Sequence, residues 1–217
     1  MAQTMTRIQR NFLLPLQILL MLTALFSSAV TQAAGTQTWY EVEIIVFANA
    51  KGSYHDSENW KQDLIPPQMA GARTLTPAGT SGSKAFQAVE PSHYRLQGEW
   101  SRLQASGEYH PLLHTAWIQP GLPPEQAVGV ILEAGAASEN LGGAKPLSGV
   151  IKVELTRYLH LDANLLYRRP IKTAAGNDGA PAFETYQLNE SRRMRSKEIH
   201  YLDHPMFGMI ALITPLQ

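Results

Sequence analysis

From Ile151 to Arg168 the chain alternates in a way that few folds tolerate. The odd positions read Ile, Val, Leu, Arg157, Leu, Leu, Ala, Leu and Tyr; the even ones read Lys152, Glu154, Thr156, Tyr158, His160, Asp162, Asn164, Leu166 and Arg168. A period of two belongs to β-structure with one buried and one mostly polar face, and it is incompatible with an amphipathic helix. The span is longer than an ordinary strand of roughly 3–10 residues. A bend, bulge or turn is therefore expected near Thr156–Tyr158, where Arg157 breaks the apolar row.

The remaining segments fit around this sheet. Trp39–Ala48 reads as a strand whose continuous apolar end, Ile44 to Phe47, suits a central position covered on both faces. Ser92 is placed to cap a helix running to about Ala105, with Leu96, Trp100 and Leu103 forming one apolar stripe and Ser106-Gly107 stopping it. Leu112–Ile118 reads as a strand, and Ala127–Leu132 as a short one. Phe183–Lys197 reads as another, with Tyr186, Leu188 and Met194 on one side, and Met206–Ile213 as the last. Residues 49–91 and 121–148 carry Gly and Pro punctuation and read as two long loop excursions. The predicted class is α+β: an antiparallel β-sheet with one main helix packed on a face. Trp39, Trp100 and Trp117 fall on apolar faces, whereas Trp60 lies in a polar loop and is read as exposed.

The N-terminus has a different character. Arg7 and Arg10 precede an apolar stretch, Phe12–Phe26, which ends in small residues and the small-x-small sequence Thr31-Gln32-Ala33; Ser27-Ser28-Ala29 is a competing cleavage site. This is the pattern of a signal peptide over residues 1–33, too short for a lasting membrane anchor, leaving a single domain over 34–217 and no membrane span. The 18 basic and 18 acidic residues cancel, so net charge gives no argument for a nucleic-acid partner. Their distribution is uneven: residues 34–148 hold 7 basic and 11 acidic side chains, and residues 149–217 hold 9 and 7. An anionic ligand should prefer the C-terminal third. The absence of cysteine excludes disulfides, thiolate metal sites, cysteine nucleophiles and a lipidated cysteine.

Positive evidence for catalysis is lacking. There is no G-x-S-x-G elbow, and no pair of carboxylates is singled out by spacing. His200 and His204 have a ligand-like spacing that His160 and Asp162 would complete, but Pro205 disfavours helical geometry at His204 and no accompanying glutamate is present. The alternative, hydrogen-bonded or solvated histidines, is the plainer one. No metal and no cofactor is expected. The densest feature is the basic run Arg192-Arg193-Met194-Arg195-Ser196-Lys197. Guanidinium groups bind carboxylates bidentately, and tyrosines 158, 167, 186 and 201 on neighbouring strands are suited to stacking on sugar faces. The competing reading is a solvated face salt-bridged to Glu190 and Glu198.

Four segments together resemble a known family: Trp39-Tyr40-Glu41-Val42-Glu43, His114-x-Ala116-Trp117-x-Gln119-Pro120, Arg157–Asp162, and the long block from Glu190 to Gly208. The chain resembles the CsiV family of periplasmic peptidoglycan-binding proteins of Gram-negative bacteria over roughly 38–213. The resemblance implies a non-enzymatic periplasmic protein that binds peptidoglycan and supports cell-wall synthesis and cell shape. The partners it implies are a bifunctional penicillin-binding synthase and that synthase's outer-membrane lipoprotein activator. It brings no ligand residues with it.

A site is therefore inferred from the side chains alone. Arg192, Arg193, Arg195 and Arg168 are expected to meet stem-peptide or muramic carboxylates, Tyr158 and Tyr201 to pack on sugar rings, and His160, Asp162 and His204 to hydrogen-bond around them. Two rival functions stay open at this level: an envelope protein–protein interaction module with incidental wall binding, and a metal-dependent wall hydrolase.

Overall fold

A computed structural model describes residues 37–50, 64–170 and 183–216. The expected leader, Trp60 and residues 171–182 lie outside these residues.

The architecture is built almost entirely of antiparallel strands. One five-stranded sheet has the order β2-β3-β1-β9-β8, formed by β1 (Trp39–Asn49), β2 (Gln87–Ala88), β3 (Tyr109–Pro120), β8 (Ile199–His204) and β9 (Phe207–Leu216). A four-stranded sheet has the order β4-β5-β6-β7, formed by β4 (Gly129–Ala134), β5 (Leu147–Leu155), β6 (Leu159–Pro170) and β7 (Phe183–Met194). The sequence suggested a single sheet. The chain passes to the four-stranded sheet between Pro120 and Gly129 and returns between Met194 and Ile199, through a turn in which Lys197 takes the left-handed conformation (φ 66°). The strand expected to reach Lys197 thus ends three residues earlier, and β8 was not anticipated as an element.

The long alternation proves to be a hairpin, with the expected turn at residues 156–158. Leu155 lies opposite Leu159 and Ile151 opposite Ala163, so odd positions face odd positions and the period passes through the turn unbroken. That is why one continuous pattern encodes two strands.

β1 is central, as its composition implies. Its even residues Val42, Ile44 and Val46 join Trp117, Met209, Ile213 and the inward row of the four-stranded sheet (Ile151, Val153, Leu161, Leu165) in one core. Its odd residues Ile45 and Phe47 face the other way and pack with Leu96, Leu103, Leu212 and Trp100. This second cluster holds the single α-helix among the described residues, α1 (Gln97–Ala105), against the outer face of the five-stranded sheet. The apolar stripe Leu96–Trp100–Leu103 does what its spacing implies. Ser92, however, lies in a 3-10 turn (Pro91–His93) rather than capping the helix. The cap is tertiary: the Glu43 carboxylate of β1 accepts the backbone N–H groups of Arg95 (2.8 Å) and Leu96 (2.9 Å).

The two N-terminal segments that carry the family resemblance are thereby explained. Glu41 pairs with Arg95 at 2.9 Å, and His114 donates from Nε2 to Glu43 at 2.7 Å. On the opposite face of β3, Trp117 Nε1 donates to Gln119 Oε1 (2.8 Å), and Gln119 Nε2 donates to the Val153 carbonyl (3.2 Å), tying the two sheets together. These residues build the fold rather than a site.

Within the first expected excursion, residues 64–88 make isolated parallel bridges (Arg73 with Val130, Thr76 with Gln87) before β2. The second contains β4 and a 3-10 turn, Glu139–Leu141. Among the described residues no helix is long and apolar enough to cross a membrane.

Candidate functional site

The basic run does not lie along one strand. Arg193 is on the outward face of β7, directly opposite His160 of β6. Arg192 takes the other face and is bound to Glu190 (Nε to Oε1, 3.0 Å). Arg195 sits in the sheet-switching turn, where its Nη1 lies 3.6 Å from Glu198 and its side chain is 72 % exposed, too solvated for that pair to hold it firmly.

Tyr158, in the β5–β6 turn, is where these elements converge. The Arg193 guanidinium lies 4.8 Å from its ring centroid and that of Arg157 lies 5.6 Å away. Neither arginine has an ion-pair partner among the described residues, so both keep their charge available while using the tyrosine ring as a support. Beside them opens a hollow of about 440 Å³ lined by Arg157, Tyr158, Arg195, Ser196 and Glu198, with Tyr40, Leu155 and Met194 as its apolar floor. His160 adjoins this region, and its Nδ1 is buried without a hydrogen-bond partner among the described residues. Cations around an aromatic ring, over an apolar floor, can take up carboxylates while packing against an attached sugar or side chain.

Of the other inferred residues, Asp162 follows His160 by two positions on the same face of β6, and the rest are elsewhere. Arg168 is at the far end of β6, eight residues from His160 and so roughly 27 Å away at strand rise. Its Nη1 donates to the Lys145 carbonyl (3.1 Å) and Ser148 Oγ (2.8 Å), and burial lowers its pKa. Asp162 is paired with Lys152 (3.2 Å) in a shallow hollow on the outer face of the four-stranded sheet. Tyr201 lies on the outer face of the other sheet, stacked on Phe47. His200 and His204 are on one face of β8, but four residues of strand separate them by about 13 Å, beyond sharing a metal ion. His200 Nε2 accepts the Arg195 N–H (3.1 Å) and so braces the turn. Sequence reasoning missed Arg157 as a site residue, although its break in the apolar row marked the turn that presents it.

His204 carries a pH consequence. Burial lowers its pKa below the ordinary 6.5, with nearby Asp203 opposing in part. Its Nδ1 accepts the Met206 N–H (3.1 Å), which requires the unprotonated ring. The stabilisation is complete above about pH 6.5 and is lost as pH falls below it, because the unfolded chain takes up a proton that the folded one resists. The melting temperature of the wild type should therefore fall more steeply between pH 7.5 and 5.5 than that of His204→Gln. Parallel curves would remove this assignment.

Comparison with curated proteins and with solved structures finds no match. A family model described as "Peptidoglycan-binding protein, CsiV" matches residues 16–216, nearly the whole chain. It spans both sheets, the helix and the arginine–tyrosine cluster, and the chain belongs to the CsiV family of peptidoglycan-binding proteins.

Proposed function

We propose that this protein is a non-enzymatic periplasmic factor, exported by a leader over residues 1–33 and acting as a single domain over 34–217, that holds peptidoglycan at the cluster around Tyr158. The observation that carries the site is the pair of guanidinium groups, Arg157 and Arg193, that bracket the Tyr158 ring without carboxylate partners among the described residues. Peptidoglycan supplies the matching groups, stem-peptide and muramic carboxylates attached to pyranose rings. Arg195 lines the hollow beside Tyr158 and His160 lies opposite Arg193, whereas Arg192 takes the other face of β7 and is bound to Glu190. Arg168 stands at the far end of β6 and Tyr201 and His204 on the other sheet, while Asp162, two residues from His160 on the same face, is taken up by Lys152. On the family reading, the bound protein supports cell-wall synthesis by a bifunctional penicillin-binding synthase and its outer-membrane lipoprotein activator.

Pull-down with purified, protein-free sacculi tests the proposal. The wild type should pellet, and added salt should weaken retention, since the contacts are exposed and charged. Arg193→Ala or Arg195→Ala should each weaken binding by roughly tenfold at most, and the double variant by more. A wild type that stays in the supernatant sinks the function; a double variant that pellets unchanged sinks the site.

A further inference from the structure

At the opposite end of β1 from Tyr40, and about 23 Å along the strand, lies a second hollow of about 270 Å³ that the basic cluster does not touch. Its walls are Phe47, Tyr109 and Tyr201. Tyr201 stacks on Phe47 with ring centroids 6.0 Å apart and planes 9° from parallel, and Tyr109 meets Phe47 edge-on at 5.2 Å. Phe47 is buried, but Tyr109 and Tyr201 remain 38 % and 47 % exposed.

This arrangement is built. A register shift between Val46 and Phe47 in the β1–β3 pairing brings Tyr109 to Phe47's face. Gly208 of β9, the neighbour of Phe47, has no side chain, and a Cβ there would lie 2.9 Å from the Tyr201 ring. The tyrosine therefore lies over the glycine backbone to reach Phe47. Its hydroxyl donates to Asp203 Oδ1 (2.7 Å), which fixes the ring's orientation. Among the described residues no lysine or arginine lines the hollow, and the histidine there, His204, is held towards the neutral form. Among the described residues the one charged group on its walls is the Asp203 carboxylate.

We infer that this hollow is a second subsite, for an uncharged pyranose: the C–H face of the sugar packs on Tyr201 and Tyr109, and its hydroxyls donate to Asp203. The negative face of an aromatic ring favours the electropositive C–H groups of a sugar, and a lone carboxylate repels anions while accepting hydroxyl donors. The inference deepens the proposed function by dividing the polymer between two places, carboxylates at the arginines and a neutral sugar at the tyrosines.

The test is titration of the whole mature protein with chitotetraose, an uncharged pyranose oligomer, followed by amide chemical shifts and calorimetry. Binding should move the amides of Asp203, Gly208 and Tyr109, Tyr201→Ala should lose at least tenfold in affinity, and Tyr201→Phe should stay within about threefold. Arg193→Ala/Arg195→Ala should bind chitotetraose as the wild type does. No binding by the wild type, shifts confined to residues 193–198, or a Tyr201→Ala protein that binds normally would each overturn the subsite. Sacculus binding without chitotetraose binding overturns the subsite alone. Chitotetraose binding that depends on Tyr201, in a protein that ignores sacculi, supports the subsite and overturns the peptidoglycan reading.

Discussion

Glu43→Ala is expected to destabilise the protein by about 3–5 kcal/mol, read as a lower urea midpoint at unchanged slope. The side chain is 1 % exposed, and its two oxygens serve three donors: the backbone N–H groups of Arg95 and Leu96, and His114 Nε2. Alanine removes all three acceptor contacts at once and leaves those donors facing an apolar layer made by Ile45, Leu96 and Trp100. Each buried group left unsatisfied costs about 1–3 kcal/mol, with the cost at the half-exposed Arg95 end the smallest. Glu43→Gln keeps one acceptor oxygen but turns an N–H₂ group towards a donor, so about half the loss should remain. His114→Phe preserves the ring packing against Tyr94 and Trp100 and breaks only one contact, so it should cost less than either. Equal effects from all three substitutions would show that Glu43 is not the helix anchor.

Gly149→Ala should cost about 3 kcal/mol or more, or prevent folding, which is at or above the usual range for an overpacked site. A Cβ at Gly149 would stand 2.2 Å from the Asn164 carbonyl oxygen and 2.7 Å from Leu165 Cα. Both are backbone atoms of β6, which is held between β5 and β7 and cannot retreat without loss of ladder hydrogen bonds. Gly98→Ala is the matched control: no atom lies within 4 Å of its would-be Cβ, and it stands in α1, so alanine should stabilise by about 0.5–1 kcal/mol. Thermal melts of the two variants should move in opposite directions. A Gly149→Ala protein with wild-type stability would mean that the β5–β6 pairing is looser than described.

What the sequence discloses depends on the range of the forces that decide it. The strands at 39–49, 109–120 and 207–216 are legible because burial writes itself into local composition, and the β5–β6 alternation is legible because each face has a consistent solvent. Whether that alternation holds one strand or two was undecidable from period alone, since a three-residue turn preserves parity across Leu155 and Leu159. The helix stripe could be read, but its start could not: the group that caps it is on Glu43, more than fifty residues away, and Ser92 supplied a misleading local signal. The return from the four-stranded to the five-stranded sheet passes through a turn with Lys197 in a conformation that is uncommon for lysine. Because that turn ends β7 at Met194, the arginines that look contiguous in sequence disperse to two faces and a turn. Arg168 and Asp162 look free in the sequence and are spoken for in the structure. Electrostatic pairing between strands leaves no mark at the spacing where it acts.

The placement of β9 beside β1 governs when the molecule can fold. Val42 pairs with Ile213, so the centre of the five-stranded sheet joins the beginning of the described chain to its end. Contacts of such long sequence separation make for slow folding, because loop closure precedes any reward from pairing. The four-stranded sheet is complete by Met194, but until residues 207–216 are present β1 has one open edge, β8 has no neighbour and the five-stranded sheet is unfinished. The core between the two sheets therefore closes only once β9 is available to β1, which suits the exported life proposed for this protein.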